Sequence, residues 1–352
     1  GGGTGGTGIS VGPVSSFGSI EVNGRHFNTD NAEIFVEGQS KGVGNQVLMD
    51  NIALGMIVRV DGDIETSRDD IARQVHFNDD IRGPVDSIRE VDSLTTELVV
   101  LNQEILVTDI THSIDIDAAP PALSEWVTVS GFKDAAGRLM ASYIAVTTSA
   151  SGANIKGTVT QLNTTDSRFE IDGMRIGYRD ATLVGLTSLS EGLPVEVTGL
   201  LSEDNLTITA QRIEPVDRLG TADSDTIELT GVVLEATETQ LILNSASVNL
   251  NARTEYVGGE IEDLGSGVRV QIQGELTGGV INAEKVTFLD NAKVESDVAS
   301  NQDGLSPLSL TAFPDLTIEY NEITKVTGAV TSPEDISTSP INPHHVKIIG
   351  RQ

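Results

Sequence analysis

Val58-Arg59-Val60-Asp61-Gly62 returns along the chain as Val127-Thr128-Val129-Ser130-Gly131, Val195-Glu196-Val197-Thr198-Gly199, Val270-Gln271-Ile272-Gln273-Gly274 and Val346-Lys347-Ile348-Ile349-Gly350. Branched apolar residues at every second position make a strand with one buried face and one wet face. The closing Gly allows that strand to bend or bulge where a bulkier residue would collide. A strand repeated in this way marks a tandem array.

Two further landmarks flank it. Upstream, a Gly opens an alternating strand at Gly12-Pro13-Val14, Gly83-Pro84-Val85, Gly157-Thr158-Val159 and Gly231-Val232-Val233, at intervals of 71, 74 and 74 residues. A fifth copy, Ser296-Asp297-Val298, lacks the Gly and comes 65 residues later. Downstream, an Ala-x-x-Val/Ile signature stands at Ala72 to Val75, Ala141 to Ile144, Ala210 to Ile213 and Ala283 to Val286. Between the first two landmarks lie paired strands. Ser19-Ile20-Glu21-Val22-Asn23-Gly24 runs into Arg25-His26-Phe27, and Phe169-Glu170-Ile171-Asp172-Gly173 runs into Met174-Arg175-Ile176. Asn-Gly and Asp-Gly are strong hairpin signals, because both turn residues must accept positive φ. Then come segments such as Thr187 to Gly192 and Ile261 to Gly265, each with a Leu suited to a helical turn that plugs one barrel end.

Each unit is thus about 70 residues with five strands and a short helix between the third and fourth, the layout of an OB-type barrel. An immunoglobulin-like sandwich is the alternative, but it needs about 100 residues and seven strands. The expected fold is all-β: a tandem array of about five small OB-like five-stranded barrels, the fifth incomplete. The expected limits are a Gly-rich tether or donor segment over 1–11, then modules over 12–80, 81–152, 153–221 and 222–291, and an incomplete fifth over 292–352. The modules are expected to string out like beads.

Gly12 to Gly24 with Phe27 and Thr29, Gly55 to Val60, and Gly83-Pro84-Val85 carry a resemblance to a bacterial domain family of unknown function, found in tandem copies in lipoproteins and secreted proteins. The first module fits best, modules two to four fit through the three landmarks, and the fifth departs most. The resemblance implies OB-like modules and an exported protein, extracellular or on the bacterial outer-membrane surface. It brings no activity and no catalytic residues. The Gly-rich start, Gly1 to Gly8, looks like the beginning of a mature lipoprotein, with a lipid anchor ahead of residue 1; an expression scar is the other reading.

Composition narrows the function. With 22 Lys and Arg against 52 Asp and Glu, the formal charge of −30 repels phosphate backbones and anionic lipid. Single-strand binding by an OB-fold needs a basic groove with stacking aromatics, and aromatic residues are only 4% here. No nucleic-acid partner is expected. Cysteine is absent, which removes disulfides, thiol chemistry and Cys-bound zinc. The chain has no apolar run long enough for a membrane-spanning helix.

No constellation singles out a reaction. Gly8-Ile9-Ser10-Val11-Gly12 has the nucleophile-elbow spacing, but it sits on a Gly tether and a strand rather than a strand-turn-helix. None of His26, His76, His112, His344 and His345 has a helical i, i+4 partner of metal-ligand type; His344-His345 could reach a surface metal, but an exposed loop pair is the preferred reading. Acidic pairs occur at Asp61/Asp63, Asp69/Asp70, Asp79/Asp80, Asp115/Asp117 and Asp223/Asp225; the last two suit calcium best, yet none has an EF-hand pattern. A glycosidase pair could hide among the 52 carboxylates, with nothing to select it. Trp126 opens an alternating strand, at a core or rim position.

No catalytic, cofactor-binding or metal-binding residue is therefore assigned, and no cofactor is expected. The expected role is a non-enzymatic structural protein of the cell surface or exterior that associates with itself or with another surface protein. The alternative is a surface module that binds glycan or another small ligand. The fifth module ends at Gly350-Arg351-Gln352 without the strand that follows in the other four. Either the natural chain continues, or a neighbour donates the strand. Gly1 to Val11 is the expected donor, giving a head-to-tail filament.

Overall fold

The computed structural model describes residues 7–64, 70–92, 94–113, 121–216, 219–220, 222–244, 246–289, 292–302, 305–311, 317–318, 336 and 345–350. Module 1 comprises β1 (Thr7–Ser16), β2 (Ile20–Val22), β3 (Arg25–Asn28), β4 (Glu33–Val36), β5 (Gln39–Val43), α1 (Asn45–Asn51), β6 (Ile57–Asp63) and β7 (Asp70–Phe77). Module 2 comprises β8 (Ile81–Asp92), β9 (Thr95–Val100), β10 (Gln103–Thr108), β11 (His112–Ser113), β12 (Trp126–Lys133) and β13 (Leu139–Thr147). In module 3 these are β14 (Ala153–Thr158), β15 (Thr160–Asn163), β16 (Arg168–Ile171), β17 (Met174–Gly177), β18 (Thr182–Leu183), β19 (Pro194–Leu201) and β20 (Thr207–Pro215). Module 4 has β21 (Ser224–Ala236), β22 (Gln240–Leu243), β23 (Ala246–Asn249), β24 (Glu255–Val257), β25 (Arg269–Thr277) and β26 (Val280–Phe288). Module 5 contributes β27 (Ala292–Gln302), β28 (Leu305–Leu310), β29 (Thr317–Ile318) and β30 (His345–Gly350).

Modules 1 to 4 each close into the same barrel. The first strand pairs antiparallel with the second and the second with the third. The third runs parallel to the last, the last is antiparallel to the fourth, and the fourth returns to the first. In module 1 this circuit is β1-β2-β3-β7-β6-β1, and in module 2 β8-β9-β10-β13-β12-β8. The remaining two follow it through β15-β16-β17-β20-β19-β14 and β21-β22-β23-β26-β25-β21. This is the expected OB-type order. In module 5, β27 pairs with β28 and β30, so β30 takes the fourth-strand position.

The repeated Gly and Ala explain each other. Gly62, Gly131, Gly199 and Gly274 lie opposite Ala72, Ala141, Ala210 and Ala283, and each pair sits at a register shift where the last strand carries one extra residue. A Cβ at any of these four glycines would overlap the carbonyl oxygen of Ile71, Met140, Thr209 or Asn282. Each barrel thus turns its corner at a bulge that only Gly admits on one strand, while the facing Ala is buried. The expected I′ turns also form, with positive φ at Asn23-Gly24 and Asp172-Gly173.

The plugs vary. In module 1 it is α1, with Leu48 fully buried, and in module 4 a 3₁₀ turn over Ile261–Asp263 beside buried Leu264. In module 3 the expected helical turn over 187–192 is instead a bend and turn, and Leu189 packs on the core without a helix. β4 runs parallel to the last strand as β11, β18 and β24 do in the other modules, and among the described residues only module 1 adds a partner strand to it, β5, making the β4–β5 hairpin.

Beads on a string are not what forms. In each barrel the N-terminal half of the first strand is bound on one edge by the fourth strand and has a second edge to satisfy. β1 uses it to pair parallel with β21, Gly8 opposite Thr226 through Val11 opposite Leu229. β8 uses it to pair antiparallel with β14 through Ile81/Ile155 and Arg82/Asn154. Modules 1 and 4 therefore share one thirteen-stranded sheet, and modules 2 and 3 another. Open edges invite uncontrolled pairing, and the array consumes these four internally. Side chains bind the two halves together. Phe132 and Met140 of module 2 pack into the module 4 cluster, while Tyr143 and Ala145 pack into that of module 1.

This corrects the expected donor segment. Thr7–Val11 is not a free tether: it is strand, paired with β6 on one side and, from Gly8 on, with β21 on the other. Residues 1–6 lie outside the described residues.

Candidate functional site at the junction of three modules

The densest buried polar cluster gathers where modules 1, 2 and 3 meet. Module 1 supplies Glu37, at the tip of the β4–β5 hairpin. The two-residue turn Glu37-Gly38 has φ of 53° and 71°, and Glu37 adopts the left-handed conformation that a I′ turn requires. The junction between the first two modules supplies Asp79 and Asp80, between β7 and β8. Module 2 adds Arg82 and Thr128, and module 3 adds Asn154, Lys156 and Glu196. Asp79, Asp80, Arg82, Asn154, Lys156 and Glu196 are all buried.

Asp79 is the hub, at 1% exposure. It accepts hydrogen bonds from Arg82 Nη1 (2.8 Å), Thr128 Oγ1 (2.8 Å) and Asn154 Nδ2 (2.6 Å). Its own backbone N–H donates to Glu37 Oε1 at 3.0 Å. Glu196 accepts from Asn154 Nδ2 at 3.0 Å and Asn78 Nδ2 at 3.3 Å. Lys156 Nζ lies 3.3 Å from Asp80 and 3.8 Å from Glu196. Arg82 Nη1 is 3.8 Å from Glu37, and its Nε donates to the Gly152 carbonyl.

Four carboxyl groups thus face two cations. One oxygen each of Glu37, Asp79 and Glu196 falls within 4.8 Å of the others. Burial pushes the Glu37 carboxyl up to about 8, and Asp79 beside it adds to the rise against the pull of Arg82. The cluster therefore holds a proton at neutral pH. The spacing would suit a shared divalent ion, but the donor set does not. Asn154, Thr128 and Arg82 already point N–H or O–H groups at these oxygens, and calcium asks for six to eight free oxygens. We read the three carboxyls as hydrogen-bond acceptors of the junction rather than as metal ligands. Asp79 and Glu196 are buried at 1% and 4% exposure, which sets them apart from a glycosidase pair that must face a substrate.

A second, smaller cluster joins modules 1 and 4. Arg25 Nε donates to buried Glu228 at 2.8 Å, and Arg25 Nη1 lies 3.3 Å from Asp70. Gln273 also donates to Glu228, at 2.7 Å. Asn23 ties Ser10, the Val11 carbonyl and the Glu228 carbonyl together, and accepts from Thr230. The other carboxylate oxygen of Glu228 is buried without a partner. Beside this seam lies a cavity of about 140 Å³ lined by Val11, Phe132, Leu219, Leu229, Leu243 and Asn244 among others. Ligand sites run to roughly 300–1,000 Å³.

The residues singled out by sequence scatter. Ser10 is buried in β1 and accepts from Asn23, in extended backbone with no nucleophile elbow. His26 lies 3.1 Å from Glu21 on the surface, and His76 stacks on Phe35 with ring centroids 4.7 Å apart. His112 is exposed in β11. Asp61 and Asp63 pair with Arg59 and Arg73. Asp223 accepts from the Gly278 backbone, a turn contact. Asp69, Asp115, Asp117, His344 and the side chain of His345 lie outside the described residues. Trp126 is half-buried against the module 2–3 core, a rim position. Asp70 and Ser10 enter the smaller module 1–4 cluster, and Asp79/Asp80 enters the larger one. Apart from Arg82, three residues on, its hydrogen-bond partners are 42 to 76 residues away along the chain, and the one local hint was an acidic pair just ahead of the strand at Ile81.

Comparison with known proteins adds a family and little else. No curated protein matches the chain. Among solved structures, one described as "drosophila Unr CSD456" is 14% identical over 59% of this chain and 96% of its own, with a TM-score of 0.16. The family described as a domain of unknown function, DUF5666, matches residues 11–76, 82–145, 156–214 and 230–287, one stretch within each closed barrel. The chain is a member of the DUF5666 family, carrying four tandem copies of its domain.

Proposed function

We propose that this is a non-enzymatic structural protein of the cell surface or exterior, exported and self-associating, in which barrels are joined edge to edge into a stiff unit. The observation that carries this reading is the pairing of β1 with β21 and of β8 with β14, which spends the barrels' open edges on one another. The buried polar groups support it too. They are spent on joining modules and are not gathered around an open cleft. The charge of −30 favours a solvated surface that keeps nucleic acid and anionic lipid at a distance. Assembly into filaments would run through surfaces other than Thr7–Val11, which is already paired on both sides.

The test is purified full-length protein examined by light scattering and electron microscopy over a concentration series, beside a hydrolase panel. Concentration-dependent assembly with no turnover is expected; turnover by a hydrolase assay sinks the reading. A second reading, glycan binding, rests on the stacked Phe35–His76 pair with Gln74 and Asp61 at hydrogen-bonding distance from the imidazole. A glycan array decides it: tight binding lost in Phe35→Ala would put a ligand site on module 1.

A further inference from the structure

β4 has counterparts in β11, β18 and β24, but among the described residues only module 1 pairs that strand with a further one, and the tip of this β4–β5 hairpin reaches both module 2 and module 3. Glu37 is the only ionisable side chain of that two-residue turn. It meets Asp79 N–H and Arg82 on one side and Glu196 on the other. Beside it, Arg212 of β20 lies close to Gly38 and pairs with Glu214. Asp80 and Lys156 form the outer layer, paired with each other. The groups facing Glu37 are therefore Asp79, Glu196 and Arg82, with Asp80, Lys156, Arg212 and Glu214 around them. The Glu37 side chain keeps 25% exposure, so water can reach the proton it carries.

We propose that the β4–β5 hairpin is a pH-responsive latch, in which the proton on Glu37 holds the hairpin tip docked against modules 2 and 3 and its loss releases the tip. With Glu37 neutral, two carboxylates in the inner ring, Asp79 and Glu196, face the two cations Arg82 and Lys156. With Glu37 ionised, a third negative charge sits within 4.8 Å of both. It has no further cation to meet, because Arg212 is already engaged by Glu214. Undocking the hairpin relieves this by returning Glu37 to water.

The sign follows from the two protonation states. A docked Glu37 keeps its proton to about pH 8, whereas an undocked one releases it near its ordinary value of 4.5. Between these limits each unit of pH favours the undocked hairpin about tenfold more, and the trend levels off above the upper one. The latch is tight in acid and loosens towards mild alkali.

The experiment is hydrogen exchange by mass spectrometry on the full chain, with protection expressed relative to unstructured peptide at each pH. Protection of amides in 33–43 and 78–82 is expected to fall about a hundredfold between pH 5.5 and 7.5. In Glu37→Gln, which stays neutral and still offers an oxygen to the Asp79 N–H, it should stay flat within about threefold, the scatter tolerated for a tenfold-per-unit effect. Amides of the β25–β26 hairpin should not respond in either protein. A flat wild type, a Glu37→Gln variant that retains the fall, or an equal loss in β25–β26 overturns the latch. Carbon-13 titration of the Glu37 carboxyl in wild type stands independently of whether the variant folds. A midpoint near 8 supports the latch, and one near 4.5 overturns it.

Discussion

The module 2–3 seam and the module 1–4 seam use the same part of the same strand, yet they solve different problems. β1 and β21 run parallel and pair over four residues, whereas β8 and β14 run antiparallel and pair over two. The longer ladder needs less help: Asn23 and Arg25 join it, and Arg25 keeps contact with solvent at 27% exposure. The shorter one is reinforced by Asp79, Arg82, Asn154, Lys156 and Glu196, all buried. Where backbone pairing is brief, side-chain ion pairs take over, and those carry the larger penalty when one partner is removed.

The sharpest way to break this contrast is Asp79→Ala. It strips buried Arg82 of its carboxylate partner at 2.8 Å and Asn154 of one of its side-chain acceptors, a loss of about 3–5 kcal/mol. Chemical denaturation should show the transition moving well below that of the wild type. A loss under about 1 kcal/mol, the scale of an exposed pair, would mean that solvent enters the junction and that the seam is looser than its burial implies.

Glu228→Gln probes the other seam, and the expected loss is smaller, about 1–2 kcal/mol. Arg25 keeps Asp70 and some water, so its charge is not stranded. The amide oxygen can also still accept from Arg25 Nε and Gln273 Nε2, as one Glu228 oxygen does now. If Glu228→Gln cost as much as Asp79→Ala, the two seams would be energetically alike and the ladder-length argument would fail.

The seams should also differ in their response to pH. Glu37, whose carboxyl is raised to about 8, belongs to the 2–3 side. A raised carboxyl contributes its full stability below the ordinary value and loses it as pH climbs from about 4.5 to 8. At full burial the slope would approach 1.4 kcal/mol per unit. Denaturation at pH 5.5 and 7.5 should therefore differ by about 1–2 kcal/mol in the wild type and by much less in Glu37→Gln, allowing for the partial exposure of this side chain. An equal pH dependence in both would place the titrating group elsewhere.

The barrels were legible in the sequence because their signals are local. Alternation, the Asn23-Gly24 and Asp172-Gly173 turns, and the Gly that faces an Ala across each bulge are all set within one module, and each has a steric reason. The seams were not legible. Arg25 meets Glu228 from 203 residues away, and Asn154 meets Asp79 from 75. Nothing in β8 or β14 taken alone distinguishes an outward face that stays wet from one that a neighbouring barrel covers. Arg82, Asn154 and Lys156 read as solvated positions of an alternating strand, and docking turned them into interior. The same limit hid Glu37, whose importance depends on a hairpin tip reaching a module about 160 residues downstream at Glu196.

The mildest prediction isolates burial from charge. Arg73 is the extra residue of the module 1 bulge, opposite the Asp61–Gly62 step, and it lies 2.6 Å from Asp63 at 58% exposure. On distance alone it is a closer ion pair than Arg82–Asp79, at 2.8 Å. Were charge contact the source of seam stability, Arg73→Ala would cost at least as much as breaking the junction. Solvent screens the exposed pair, and ordering a long side chain offsets much of what attraction remains, so Arg73→Ala should cost no more than about 0.5 kcal/mol. That value should fall further in added salt, because an exposed pair is screened at short range, while the Asp79→Ala loss should hardly move. Two substitutions at similar distance, separated by several kcal/mol and by their salt response, would locate the strength of this protein in what its modules bury between them.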